Sequence, residues 1–182
     1  MTFETLWAGW RSSYVSSITP LPADPSVRPA GADSCVFCGI LSSAEPDAER
    51  HVVHAGQLCS VVLNAYPYAT GHLLVLPNRH VRELEELEED EAAHLWSVSR
   101  DAVVALKRAY GPEGLNLGMN LGRAAGAGVP DHLHVHALPR WVGDTSFVTA
   151  VASLRVMPES LAETWSKLRD AWPRGRESGR ER

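Results

Sequence analysis

Cysteine is scarce. Three residues in a chain of 182 do not make a disulfide framework, so the expected compartment is the reducing cytoplasm. Long apolar runs are missing as well. Nothing approaches the roughly 18 to 20 consecutive apolar residues of a membrane span, and no membrane is expected as a partner. The opening Met1-Thr-Phe-Glu-Thr-Leu-Trp7 has no basic stretch leading into an apolar one, unlike a secretory signal. Positive charge is in deficit: 17 Lys and Arg stand against 22 Asp and Glu, a net charge of −5. A general nucleic-acid binder carries a basic surface, so nucleic acid is not an expected partner either. An anionic ligand must instead be held by local groups such as backbone N–H, imidazole or a few placed side chains. The remaining composition, 45% apolar and 21% charged, is ordinary for a globular protein, and the length suits one well-filled domain.

Three stretches are expected along the chain. Residues 1–34 form an N-terminal extension that packs on the domain through Leu6-Trp7-Ala-Gly-Trp10-Arg11, followed by a Pro- and Ala-rich linker. Residues 35–173 form the domain, and residues 174–182, polar and mixed in charge, form a disordered tail. Within the domain, strands are expected at 51–54, 59–64 and 72–77. The acidic run Glu83–Asp90 opens helical structure and is read as a solvated face. Leu95, Ser99, Ala102 and Leu106 recur at helical spacing over 91–109, until Gly111-Pro112 stops the helix. Leu115–Asn120 and Phe147–Val151 read as strands, and Gly122–Pro130 as a flexible loop. Leu161, Trp165, Leu168 and Trp172 mark a C-terminal amphipathic helix. The expected class is α+β, a mainly antiparallel sheet with a central helix and a C-terminal helix.

The most informative segment is His132-Leu-His134-Val-His136. A β-strand sends alternate side chains to opposite faces. On a strand the three imidazoles project together while Leu133, Val135 and Ala137 face a core. Imidazole serves as nucleophile, acid/base or metal ligand. The three rings therefore either clamp a metal themselves, as a zinc hydrolase centre, or divide the labour of a covalent reaction. Gly122, Gly126 and Gly128 in the preceding loop let the backbone approach a ligand closely. A Gly-rich loop beside a nucleophilic imidazole suits a phosphate ester.

His132–Arg140, read with Leu63–Pro77 and Met119–Gly128, resembles the signature of the histidine triad (HIT) superfamily of nucleotidyl hydrolases and transferases. Leu6-Trp7 to Arg11 resembles a bacterial subgroup related to diadenosine tetraphosphate phosphorylases. The resemblance implies a HIT-like fold and a homodimer. It implies that His134 attacks the α-phosphorus of a nucleoside phosphate to give a nucleotidyl-histidine, and that His136 supports the phosphate side. Asn64 matches a ribose-contacting position and Asn120 one near the α-phosphate. Gly126 and Gly128 line the phosphates. Adenine nucleotides, with diadenosine tetraphosphate first, are the expected substrates. A nucleoside phosphoramidate or acyl-adenylate hydrolase, and a non-catalytic AMP-binding protein, remain open. One departure is visible: many members carry Ser, Thr or Gln shortly before the triplet, where this chain has Gly128-Val129-Pro130. That leaves leaving-group protonation without an assigned residue.

Cys35-Val-Phe-Cys38 has the spacing of half a zinc site. No second such pair exists, because the third cysteine is Cys59, so further ligands must be histidines. Zinc-bearing relatives pair such cysteines with a histidine after the long strand and with the first of the triplet. Here those are His80 and His132, and four protein ligands imply a structural zinc. Cys59 reads as a core residue, His51, His54 and His94 as surface or edge residues, and His72 as a candidate neighbour of the nucleotide pocket.

Overall fold

A computed structural model describes residues 31–144 and 156–173. The N-terminal extension up to residue 30, the expected strand at 147–151 and the tail at 174–182 lie outside the described residues.

Five strands form one antiparallel sheet in the order β1-β2-β3-β5-β4: β1 Val52–Ala55, β2 Cys59–Leu63, β3 Leu73–Pro77, β4 Gly114–Gly118 and β5 Val135–Arg140. Every residue of β2 and β3 is buried, since both faces of the sheet's middle are covered. On one face lies helix α2, Glu89–Tyr110. Its Leu95, Val98, Ala102 and Leu106 join Val61, Leu73, Val75, Val135 and Ala137 in the larger apolar cluster. The other face carries the short helix α1, Val36–Ser42, whose Phe37 packs with Val52, Val62, Leu74 and Leu76.

The local signals set the ends of these elements. A capping box between Glu88 and Glu91 starts α2, and three acidic residues occupy its first turn, where the helix dipole favours negative charge. Gly111, in the left-handed region, ends it. The acidic run before it makes one 3-10 turn, Leu84–Glu86, ahead of the α-helix. The C-terminal helix α3, Leu161–Ala171, starts on a Ser160–Glu163 capping box and buries Leu168 in the larger cluster. Trp165 donates from Nε1 to the Val52 carbonyl, and Arg169 from its guanidinium to the Val53 carbonyl, both at 2.8 Å. These bonds satisfy acceptors on β1 at the sheet edge. Among the described residues, no helix is long and apolar enough to cross a membrane.

The histidine segment departs from expectation in one respect. β5 begins at Val135, so His132 and His134 precede the strand and only His136 lies within it. The pairing Val75↔Val135, continued by two residues, would set Leu133 opposite Pro77. Proline has no N–H for the ladder, and Leu133 N–H is donated instead to the Val81 carbonyl at 2.7 Å. The alternation survives: Leu133, Val135 and Ala137 are buried in the larger cluster, and the histidine rings lie on the other face. β5 is therefore shorter at its start than the sequence implies, and the rings at 132 and 134 are oriented by side-chain bonds as well.

Gly71 directly precedes His72 with φ +82, and a Cβ there would stand 3.0 Å from Tyr110 and 3.2 Å from Leu106 and Pro139. Gly71→Ala combines left-handed strain with overpacking and should destabilise the protein by about 1–3 kcal/mol. Urea unfolding checks it, as a lower midpoint at unchanged slope.

Candidate active site and metal centre

The hydrogen positions on the histidine rings follow from their partners. A carbonyl only accepts, so His132 carries its hydrogen on Nε2 and donates it to the Pro77 carbonyl at 2.9 Å. Its Nδ1 lone pair then faces Cys35 Sγ at 3.3 Å and Cys38 Sγ at 3.6 Å. His134 donates from Nδ1 to the His132 carbonyl at 2.8 Å. This is the ring's one hydrogen bond among the described residues, and it leaves the Nε2 lone pair available.

A longer chain of donors sets His136. The Tyr68 backbone N–H donates to His72 Nδ1 at 3.1 Å. Asn64 Nδ2 lies 3.2 Å from the same atom, and Tyr66 N–H holds Asn64 Oδ1 at 2.9 Å. His72 therefore carries its hydrogen on Nε2 and donates it to His136 Nδ1 at 2.9 Å. His136 is left with an N–H at Nε2 that is buried and has no partner among the described residues. A buried unpaired donor costs free energy, and an oxygen of a bound ligand would satisfy this one. The His136 ring stacks under Tyr68 and meets the His134 ring edge-on, with centroids 4.9 Å apart.

Burial favours the neutral form of both rings. It lowers His134, only partly opposed by the bond to the His132 carbonyl. It lowers His136 to about 4, with the neighbouring His134 adding to the effect. His134 thus presents a lone pair at neutral pH rather than a charge.

The four residues singled out as metal ligands converge. One donor atom from each of Cys35, Cys38, His80 and His132 lies within 4.8 Å of the others, and Cys38 Sγ is 3.3 Å from His80 Nδ1. Tetrahedral zinc, with bonds of about 2.3 Å to sulfur and about 2.0–2.1 Å to nitrogen, sets S and N about 3.6 Å apart. The donor set and spacing fit that ion, and the Pro77 carbonyl supplies the outer partner that fixes a ligating imidazole. The three histidines do not share one metal site in this arrangement: the His132 lone pair faces the cysteines, and the His136 lone pair is taken by the His72 N–H. His80 is placed by its neighbour: Arg79 forks onto Glu91 at 2.9 and 2.6 Å, holding that carboxyl down to about 2. Without a metal, burial and the neighbouring Cys35 push the Cys38 thiol up to about 11.

The remaining expected residues are less tightly gathered. Asn120 follows β4, half-buried. Gly126 adopts φ 91 and closes a 3-10 turn, Arg123–Ala125, with its own N–H donated to the Arg123 carbonyl at 3.0 Å. That amide is therefore committed, whereas Gly128 N–H has no partner among the described residues. Two residues went unmarked by sequence reasoning, Phe37 and Tyr68. Their rings contact the histidines, and their residue type alone does not mark that contact.

The HIT domain family model matches residues 45–142. The chain belongs to this family. A Mycobacterium tuberculosis AP-4-A phosphorylase is 39% identical over 171 residues, covering 94% of this chain and 85% of that protein. A zinc-bound histidine triad family protein from Mycobacterium smegmatis superposes with a TM-score of 0.63 at 30% identity, over 78% of this chain and 94% of that one. A hypothetical histidine triad nucleotide-binding protein from Sulfolobus tokodaii gives 0.58 at 31% identity, over 74% and 91%. The five-stranded antiparallel sheet with its helices is thus the HIT fold.

Two outcomes follow from this geometry. Cys35→Ser or Cys38→Ser should carry much less zinc than the parent by atomic absorption. Each should also melt lower by at least about 4 °C, the shift of about 1–2 kcal/mol in a domain of this size. The depressed His136 sets a pH dependence. Its ordinary value is 6.5 and its folded value about 4, so the folded state binds fewer protons than the unfolded one between them. That contribution to stability is complete above about 6.5 and is lost as pH falls toward about 4. Urea midpoints across this window should fall less steeply in His136→Asn than in the parent chain.

Proposed function

We propose that this chain is a nucleotidyl hydrolase or transferase acting at the α-phosphorus of dinucleoside polyphosphates, with diadenosine tetraphosphate as the first substrate. The observation that carries the reading is the His134 bond to its own segment: with Nδ1–H held by the His132 carbonyl, the Nε2 lone pair is the nucleophile. Support for the substrate comes from the 39%-identical relative named as an AP-4-A phosphorylase.

The reaction runs in two displacements. The His134 Nε2 pair forms an N–P bond at the α-phosphorus, and the P–O bond to the leaving polyphosphate breaks with its electron pair on oxygen. The imidazole gains positive charge in this step, and the His132 carbonyl at Nδ1–H is aligned to stabilise it. His136 Nε2–H donates a hydrogen bond to a phosphate oxygen, and the polyphosphate departs as its anion. In the second displacement an oxygen of water or inorganic phosphate attacks phosphorus, the N–P pair returns to Nε2, and the proton of the attacking group passes to solvent. With diadenosine tetraphosphate the products are ATP and AMP from water, or ATP and ADP from phosphate.

Asn64 reaches the ribose hydroxyls, while Asn120, Gly126 and Gly128 approach the phosphates, chiefly through the uncommitted amide of Gly128. Cys35, Cys38, His80 and His132 would hold a zinc ion, which when bound supplies a structural cross-link and leaves no open coordination position. We further place the protein in the cytoplasm as a homodimer, with residues 35–173 as the catalytic domain.

His134→Ala should lose at least about 10³-fold in kcat while still binding AMP. Mass spectrometry of the parent chain quenched with labelled diadenosine tetraphosphate should find adenylate on His134. Turnover within tenfold of the parent, or adenylate on another residue, overturns the assignment. Product analysis with and without inorganic phosphate separates ADP release from AMP release.

A further inference from the structure

Phe37 occupies a position that neither the metal cluster nor the proposed reaction accounts for. It is buried at the start of α1 with 5% of its surface exposed, between the two cysteines. Its ring meets the His132 ring at 5.5 Å and 87°, and the His134 ring at 5.1 Å and 62°. One short segment therefore carries two thiols that face His132 Nδ1 and an aromatic ring that lies against the next histidine of the triplet.

We propose that Phe37 is a positioning residue for His134, and that it mechanically couples the Cys35–Cys38 cluster to the nucleophile. The proposal rests on the reading of His134 as that nucleophile. His134 has one hydrogen bond, at Nδ1. A single bond at one ring atom does not by itself hold the ring: rotation about the side-chain bonds pivots it away from the His132 carbonyl, and a ring that has lost the bond exchanges its hydrogen between Nδ1 and Nε2. The edge-on contacts of Phe37 and of His136 with the ring remove the pivot and set the direction of Nε2. Aromatic pairs favour such edge-to-face geometry. Phe37 is itself held through its neighbours: Cys35 and Cys38 approach His132, whose ring is anchored to Pro77 and whose carbonyl anchors His134. His132 thus belongs to both systems, its ring to the cysteine cluster and its carbonyl to the nucleophile. Loss of the Phe37 ring would leave the cysteine cluster intact while His134 wanders from its line of attack.

The test uses the full-length zinc-replete protein and Phe37→Leu, with Phe37→Met as a second, less disruptive variant should the first not fold. Zinc content and AMP affinity should stay within about twofold of the parent while kcat falls about 10- to 100-fold, the scale of a misplaced reacting group. A separate readout needs no turnover. In the nucleotide-free parent, the ¹⁵N shifts of the His134 ring should report one tautomer with the hydrogen on Nδ1. In the variant the two shifts should move toward their average. Loss of zinc in both variants, a rise in KM at unchanged kcat, or unaltered ring shifts would each overturn the proposal. The nucleophile reading fails separately, through an active His134→Ala, and the ring shifts still decide the contact in that event.

Discussion

A single hydrogen bond, from His134 Nδ1 to the carbonyl of His132 at 2.8 Å, is the constraint on which the site depends. A neutral imidazole has one donor and one acceptor, so committing the donor to a carbonyl determines where the lone pair lies. The carbonyl belongs to the same segment, two residues earlier, so the His134 ring is oriented by local backbone. That backbone must be extended for the bond to form without strain, yet it is not paired into the sheet. Pro77, lacking an N–H, ends β3 opposite the place where the ladder would otherwise have continued through Leu133.

The second histidine of the site is set by a different route. An amide hydrogen cannot be moved, so the Tyr68 N–H fixes the tautomer of His72, and His72 in turn fixes that of His136. The chain of assignments ends in a buried N–H without a partner among the described residues. A buried unpaired donor costs stability, and an oxygen of a bound ligand would remove that cost. The site is thus less satisfied without ligand than with it, as expected of a preorganised electrostatic site. The left-handed Gly71, packed against Tyr110 and Pro139, brings the start of β3 close enough for His72 to reach His136.

The cysteine cluster serves the same segment from the other side. His80 arrives on a loop anchored by the Arg79–Glu91 pair, and Glu91 also closes the capping box of α2. The helix on one face of the sheet is thereby linked to the ligand set on the other. Phe37, between the cysteines, then rests on the His134 ring. On the reading proposed above, stability and reaction geometry share these residues.

Much of this was legible in the sequence because it is carried by short-range chemistry. Alternation placed Leu133, Val135 and Ala137 in the core and the three histidines on the opposite face. Helical spacing located α2 and α3, and Gly111 marked where α2 stops. The Cys-X-X-Cys spacing exposed half of the metal cluster, and resemblance pointed to His80 and His132. What only the tertiary structure decided is where each ring nitrogen points and which rings meet. The partners of His72 and His136 are 64 residues apart, and those of Cys35 and His132 are 97 apart. Phe37 and Tyr68 looked like ordinary aromatics until the fold set them against the triplet. Residue types and their periodicity fix which face a side chain takes, because that depends on the local backbone. The tautomer of an imidazole depends on donors brought in from elsewhere, and no local pattern encodes them.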